Sequence, residues 1–467
     1  MSIITEEFEK ICKIHSKNIA FYFIKSGKVI SKTFSELHQD VRSAQASLNK
    51  AGVKNGDKLL AFASPDYNLL VYMLAIFKIG ASVMYIDIFA KQDSFKSFFD
   101  EYRPNYVLVS NKTRFLKPFF RYARKTKGII NVDKNVAGFY KNDCQVDDKT
   151  PALITATTGS SGKPKAFIRT HKDLFEQLLL IRNNMKSIDR DGIILTTSYI
   201  YAFANLIQGT TTVLPNINLS LKKSPHNTTK KLKKFERLGI TTIMTSPDFC
   251  LRLPNLYPKL KQLYFGGAIL NYNEAKKIQA KYSKVDIWYV YGSTECALIS
   301  GVNLDEYIDN LRKTGQCLLG GVCKGVEIHI DDNRHILVKS KALLKHTFNG
   351  KAKDEYYDTN DIGMIKDGKL FYIGKFGTLI DIKGEKYYAN ELEQLIILKY
   401  PELKKCAIIQ AHNTNYVFVE DNVDKRKLES FLAGKIGATK VIKIRQIPRD
   451  VKHHTKTNYV KLKHYLR

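Results

Sequence analysis

Residues 155–166 read T-A-T-T-G-S-S-G-K-P-K-A, a run in which two glycines stand among hydroxyl and ammonium side chains. Gly159 and Gly162 let backbone N–H groups come close to a ligand, and Thr157, Thr158, Ser160 and Ser161 add hydroxyl donors. Lys163 and Lys165 bring positive charge. Together these groups would hold phosphate oxygens, although the same composition suits a solvated turn, and the run alone leaves both readings open. Two further glycine-bearing segments follow apolar runs: Gly266-Gly267-Ala268 after residues 260–265, and Gly292-Ser293-Thr294-Glu295 after residues 285–291. Three such loops, each at the end of a strand-like run, point to a shared nucleotide site.

The elements that must position these loops alternate. Residues 58–63, 81–86 and 106–109 read as strands, and 66–79 (closed by Gly80) and 92–102 as helices, a spacing that predicts an α/β sheet with mostly parallel strands. Ahead of them, 31–51 places Leu37, Val41, Ala44 and Leu48 on one helix face, with Ser35 as N-cap and Gly52 beyond the end. The run 155–166 follows the apolar 152–154 at a strand end, where open α/β sheets bind ligands. Then come a helix over 174–185, a strand over 192–197, and Tyr199, Tyr201 and Phe203, aromatics that join the core or wall an apolar substrate pocket. A basic helix at 230–238 leads into a strand over 241–245. Hairpins are expected between 326–330 and 336–339 and around Asp367-Gly368. The polar, glycine-bordered 374–378 suits a linker, and beyond it 391–399 and 424–435 read as helical, 405–409 and 416–419 as strands. The expected architecture is α/β: a large N-terminal domain over 1–374 of mostly parallel and mixed sheets with helices, a hinge at 375–378, and a small mobile α/β domain over 379–467.

A chain of 467 residues exceeds one ordinary core, in keeping with that division. Its 44% hydrophobic and 26% charged residues are those of a soluble globular protein. The seven cysteines are scattered without C-x-x-C spacing, which argues against a disulfide framework or zinc site and fits a reducing, cytoplasmic location. The N-terminus carries acids where a signal peptide would be basic and then apolar, and the longest apolar stretch, 69–77, is too short to span a membrane. A formal net charge of +30 suggests nucleic acid at first. The lysines, however, run through the whole chain without a recognition motif, so that partner is disfavoured. Residues 112–127 interleave Phe115, Phe119, Phe120 and Tyr122 with Arg114, Lys117, Arg121, Arg124 and Lys125. Such a surface suits an acidic carrier protein or an anionic membrane, or is a helix face packed on the core by its aromatics.

In this order, the motifs resemble the adenylate-forming superfamily of acyl-CoA synthetases, nonribosomal-peptide adenylation domains and luciferases, over nearly the whole chain. T-T-G-S-S-G-K-P-K-A is similar to that family's phosphate loop, T-S-G-T-T-G-x-P-K-G, with Ala166 at the last position. Y-G-S-T-E, residues 291–295, matches its adenine and magnesium motif. The resemblance implies that Thr157, Thr158, Gly159, Ser160, Ser161, Gly162 and Lys165 hold the β- and γ-phosphates of ATP. It implies that adenine packs on Gly266, Gly267 and Ala268 and under Tyr291, next to Gly292, while Thr294 contacts the α-phosphate region and Glu295 coordinates Mg²⁺. In Y-D-T-N-D, Asp361 corresponds to the acid that binds the ribose hydroxyls, and Asn360 stands where glycine is usual. Lys375 replaces an arginine that reaches the ribose, keeping the charge without the planar fork. H-T-K-T-N-Y, residues 454–459, resembles the G-K-x-D-Y segment, so that Lys456 bridges the carboxylate and the α-phosphate, with Thr455 replacing glycine. G-K-F-G-T puts Gly377 and Thr378 at the hinge in place of two acids, and I-D-I-K-G-E-K puts Gly384 on the thiol tunnel, with Asp381 where lysine is common.

The function so implied is ATP-dependent activation of a carboxylic acid to acyl-AMP with release of pyrophosphate, then transfer to a thiol, CoA being favoured. Attack of a carboxylate on phosphorus joins two anions, so fixed donors and a metal must neutralise the accumulating charge; no protein nucleophile is needed. Residues 198–203, S-Y-I-Y-A-F, lack the acid that would pair with an α-amino group, and a buried unpaired ammonium is costly. A fatty or aryl acid against Tyr201 and Phe203 is therefore favoured over an amino acid. Three alternatives stay open: loading of an acyl carrier protein, β-lactone closure of a 3-hydroxy acid, which 85–99 faintly resembles, and a degenerate relative that binds nucleotide or acyl groups without turnover. Ala166, Asn360, Gly377, Thr378 and Thr455 speak for the last; retention of Glu295, Asp361 and Lys456 speaks against it.

Overall fold

The computed structural model describes residues 1–86, 92–113, 122–134, 144–158, 164–185, 192–217, 225–347, 350–351, 355–420, 423–449 and 456–466. Among these residues one sheet has thirteen strands and a second has eight. In the larger sheet Ile19–Lys25, Thr212–Leu214, Ile193–Thr196, Ile240–Thr245, Gln262–Gly266 and Asp286–Tyr291 lie side by side and parallel. Beyond Asp286–Tyr291 every further pairing is antiparallel, through Ser300–Asn303, Cys317–Val322, Lys369–Lys375, Tyr357–Lys366, His335–Ser340 and Val326–Ile330. The sheet is thus mixed, and its second half holds two hairpins, Val326–Ile330 with His335–Ser340 and Tyr357–Lys366 with Lys369–Lys375. The smaller sheet runs Gly128–Asn131, Tyr106–Val109, Lys58–Phe62, Ser82–Tyr85 and Pro151–Thr158 in parallel, then turns antiparallel at Pro164–Thr170. Pro151–Thr158 and Pro164–Thr170 are therefore the arms of a hairpin, and residues 159–163 at its tip lie outside the described residues.

The helix Tyr67–Ile79 begins where the Asp66 side chain accepts from Leu69 N–H and ends at Gly80, whose φ of 80° is left-handed. It is apolar on all sides and buried almost throughout, as a helix enclosed by other elements must be. Its one lysine, Lys78, is 1% exposed and paired with Glu9 of the helix Ile3–Ile14. The helix Phe34–Lys50 starts two residues earlier than its apolar spacing suggests. Thr33, not Ser35, is the N-cap, because Glu36 stands three residues on and reciprocates its hydrogen bond in a capping box. Tyr199, Tyr201 and Phe203 lie on a short helix, Tyr199–Leu206. Tyr122, from the basic aromatic segment, is buried with its ring 5.2 Å from Phe99; residues 114–121 of that segment lie outside the described residues.

One hydrophobic cluster runs from Ile4 to Phe371 and joins the two sheets. Another begins at Ile380 and continues through Leu392, Ile408, Val417 and Leu432 to Val441. Its elements are the three-stranded sheet Cys406–Ala411, Thr414–Val419 and Thr439–Lys443 with the helices Ala389–Lys399 and Lys425–Ile436. Polar side chains tie it to the rest: Asn271 donates to Lys404 O at 3.0 Å, and Asn273 to Pro401 O and Leu403 O at 2.9 Å. Among the described residues no helix is long and apolar enough to cross a membrane.

Candidate functional site

Asp286–Tyr291 delivers the segment 291–295 to the middle of the larger sheet, at the point where parallel pairing gives way to antiparallel. The turn is tight. Ala297 N–H bonds Ser293 O at 2.8 Å and Cys296 N–H bonds Ser293 Oγ at 3.2 Å. A Cβ on Gly292 would fall 1.9 Å from Ala297 O, so no other residue type fits there without moving the backbone. Gly266, register partner of Val290, is equally closed, a Cβ meeting Val290 O at 2.2 Å. Gly267 and Ala268 follow it, and the Ala268 carbonyl accepts from Tyr289 Oη at 2.8 Å.

This loop is laced to the strand Tyr357–Lys366 at both of its ends. Tyr291 Oη donates to Asp361 Oδ2 at 2.8 Å, and Tyr357 Oη donates to Glu295 Oε1 at 2.7 Å. Burial pushes both tyrosine hydroxyls well above their ordinary range, which keeps them protonated donors. Asp361 is held a second time, by Lys375 Nζ on Oδ1 at 2.8 Å. Asn360 has φ of 55°, the left-handed region where glycine is usual and asparagine is the common substitute.

The remaining predicted residues are distributed as follows. Thr157, Thr158 and Lys165 lie on the hairpin arms, while Gly159, Ser160, Ser161 and Gly162 lie outside the described residues. Phe203 is a core side chain, 1% exposed, with ring neighbours Phe77 at 5.9 Å and Tyr199 at 6.4 Å. Tyr201 keeps some surface, and burial raises its hydroxyl to about 12. Gly377 has φ of 83°, and Thr378 Oγ1 donates back to Lys375 O at 2.7 Å. Gly384 turns the hairpin of Leu379–Ile382 with Glu385–Tyr388, and its N–H donates to Asp381 Oδ1 at 2.9 Å, so Asp381 closes the turn. Lys456 is exposed, beside the bridge between Thr457 and Arg449; Thr455 lies outside the described residues.

Three residues of this site receive no role from the sequence motifs: Tyr357, which opens Y-D-T-N-D, and Arg169 and Gln177, which lie outside every motif. Arg169 and Gln177 reach the Thr294 carbonyl from the strand Pro164–Thr170 and the helix His171–Asn184. The one available signal was an arginine inside the strand-like A-F-I-R-T. For a metal, the described residues hold no group of three or more His, Cys, Asp or Glu side chains. A single carboxylate, Glu295, fits Mg²⁺, which takes one or two carboxylates and fills its shell with water and phosphate oxygens. The arrangement thus holds two carboxylates, Asp361 and Glu295, each by a tyrosine hydroxyl, with closely packed glycines at 266 and 292.

A family model described as AMP-binding enzyme matches residues 8–340. An olefin beta-lactone synthetase of Xanthomonas campestris is 24% identical over 67% of this chain, a match that spans 59% of that protein. A 2-succinylbenzoate–CoA ligase of Listeria monocytogenes is 21% identical over 98% of this chain and 99% of its own length. Among solved structures, an o-succinylbenzoate CoA synthetase of Bacillus subtilis bound to its acyl-adenylate intermediate superposes with a TM-score of 0.80, at 17% identity, over 97% of both chains. An amide bond synthetase from Marinactinospora thermotolerans gives 0.81, at 15% identity, over 99% of this chain and 100% of that one. At these identities the structural likenesses establish a shared fold.

Proposed function

The chain belongs to the AMP-binding enzyme family, and from that premise we propose that it activates a carboxylic acid with ATP and passes the acyl group to a thiol, with CoA as the favoured acceptor. The observation that carries this reading is the carboxylate of Asp361, fixed on one oxygen by Tyr291 and on the other by Lys375. An acid so anchored keeps lone pairs for the two adjacent hydroxyls of a ribose. Adenine then rests on Gly266-Gly267-Ala268 beside Tyr291 and Gly292, and Thr294 meets the α-phosphate region. Thr157, Thr158, Gly159, Ser160, Ser161, Gly162 and Lys165 cradle the β- and γ-phosphates. Mg²⁺, bound by Glu295, would supply neutralising charge to the phosphates.

In the first step a carboxylate oxygen of the acid forms a bond to the α-phosphorus, and the bond to the bridging oxygen breaks with its electron pair leaving on pyrophosphate. In the second, the thiol sulfur bonds the acyl carbon, AMP departs with the electrons of the C–O bond, and the thiol proton passes to solvent. Lys456 neutralises both anions in the first step. Its place on the C-terminal part of the chain motivates a division into residues 1–374, a hinge at 375–378 that includes Gly377 and Thr378, and a mobile unit over 379–467, with Gly384 lining the thiol path.

The helix Tyr199–Leu206 carries no charged side chain, which supports a fatty or aryl acid. The match to a CoA ligase over nearly all of both chains supports CoA. A second reading, closure of a 3-hydroxy acid to a β-lactone, is favoured by the similarity to an olefin beta-lactone synthetase. An acyl carrier protein or anionic membrane would meet residues 112–127, and the scattered free cysteines suit the cytoplasm. The test is pyrophosphate release with fatty, aryl, 3-hydroxy and amino acids, each with and without CoA. Acid-dependent release with a CoA thioester as product is expected. Release that leaves no thioester turns the assignment to lactone closure or a carrier protein, and no release with any acid overturns it.

A further inference from the structure

Arg169 is 5% exposed, and the guanidinium spends its donors in three directions. Nε donates to Gln177 Oε1 at 2.8 Å, one terminal nitrogen to Thr155 Oγ1 at 2.6 Å, and the other to Thr294 O at 2.9 Å. Gln177, fully buried, uses its amide nitrogen on Glu295 O at 3.2 Å, Ala342 O at 3.1 Å and Thr294 O at 3.4 Å. Leu344 N–H completes the set on Glu295 O at 2.8 Å. Burial lowers the Arg169 pKa to about 10, which leaves it a cation at neutral pH. A buried charge is tolerated only when its donors are satisfied, and an apolar side chain would fill the same volume without that demand. Beside Ala342 O, the backbone acceptors are the two consecutive carbonyls of Thr294 and Glu295, the stretch from which those two side chains leave. Thr155, whose hydroxyl accepts from Arg169, opens the glycine-rich run.

We propose that Arg169 and Gln177 are positioning residues for ATP-bound Mg²⁺: together they clamp the Thr294–Glu295 backbone against the phosphate-loop hairpin, so that Glu295 Oε1 meets Tyr357 and the carboxylate faces the metal. This rests on the reading that Glu295 serves the nucleotide's metal. The planar fork of arginine is essential to it, since lysine cannot reach Gln177, Thr155 and Thr294 at once. Groups that orient a metal ligand without touching the metal change its affinity by roughly 10- to 100-fold when removed.

The test titrates Mg²⁺ into the full chain with ATP and without acid, followed by calorimetry, for wild type, Gln177→Leu, Arg169→Lys and Thr155→Val. Lys281→Met serves as a control, because Lys281 caps the Cys250 and Leu251 carbonyls elsewhere in the fold. Gln177→Leu and Arg169→Lys are expected to raise the half-saturating Mg²⁺ concentration about tenfold, and Thr155→Val about threefold. Lys281→Met is expected to lower the melting temperature and leave the Mg²⁺ titration unchanged. If the clamp variants lose thermal stability yet titrate as wild type, Arg169 and Gln177 are structural and the proposal falls. Thr155→Val, which leaves the charge and Gln177 in place, decides the matter should the other two fail to fold. A wild type that binds Mg·ATP but releases no pyrophosphate with any acid overturns the activity and still judges the clamp; one that binds no Mg·ATP overturns both.

Discussion

Asp361 and Lys375 face each other directly across one antiparallel strand pair, and the ammonium donates to Oδ1 at 2.8 Å. With Tyr291 on the other oxygen, the carboxylate is oriented before any ligand arrives. Orientation of that kind lowers the ordering cost of binding.

Lys375→Met should therefore weaken ATP rather than slow the bond-making step. A hydrogen bond to a charged group contributes about 1.5–3 kcal/mol, so KM for ATP is expected to rise roughly 10-fold or more, with a much smaller fall in kcat. Lys375→Arg should recover most of the loss, and Asp361→Ala should exceed it. Steady-state pyrophosphate release at varied ATP measures all three; an unchanged KM in Lys375→Met would detach this pair from the nucleotide.

Asn360 carries a backbone conformation that L-residues adopt at a cost of about 1–2 kcal/mol, which asparagine and glycine largely avoid. Asn360→Gly is expected to leave stability and ATP affinity nearly intact. Asn360→Val should lower stability by about 1–2 kcal/mol, read from the urea midpoint, and disturb Asp361 next to it. Equal midpoints for the two variants would mean that the turn is not strained.

That position also marks what the sequence made legible. The departure from glycine at 360 weakens a motif match on paper, yet the backbone needs only a residue that accepts positive φ. The helix Tyr67–Ile79 was readable because its signals are local: Asp66 at one end, Gly80 at the other, and an apolar run between. The N-cap of Phe34–Lys50 was misplaced by two residues because the apolar spacing outweighed the Thr33–Glu36 box. The contacts of Arg169, Gln177 and Tyr357 were illegible for another reason. Their partners lie 125, 118 and 62 positions away, and only the folded sheets bring them together.

Glu9 gives the fold a predictable acid sensitivity. Burial acts to raise its pKa, but hydrogen bonds from His38 and Lys78 and their charges outweigh it and hold the group down at about 2, against 4.5 ordinarily. The folded pKa is depressed, so the stabilisation is complete above about pH 4.5 and is lost as pH falls toward 2. Glu9→Gln removes the charge that the buried Lys78 and the half-buried His38 share and is expected to cost about 3 kcal/mol at neutral pH, the low end for a broken buried pair. The difference between wild type and variant should shrink in urea melts taken from pH 6 to pH 3. A constant difference over that range would show that the pair carries no charge-dependent stability.

Lys456 is exposed, and the tail that bears it is fastened three residues on, where Tyr459 Oη donates to both oxygens of Glu393 at 2.9 and 3.0 Å. Under the proposed mechanism this lysine matters only while carboxylate and α-phosphate carry opposed negative charge. Lys456→Ala should cut acid-dependent pyrophosphate release at least 100-fold, as loss of one preorganised charge-stabilising donor does, by about 2.7–4 kcal/mol. Thioester formation from preformed acyl-AMP and CoA should fall no more than about twofold, since no phosphate anion is attacked in that step. Tyr459→Phe should slow only the first step, and by less, because the lysine is kept while its anchor is lost. Measuring the two half-reactions separately distinguishes these outcomes, and pyrophosphate release in Lys456→Ala at the wild-type rate would remove this residue from the site.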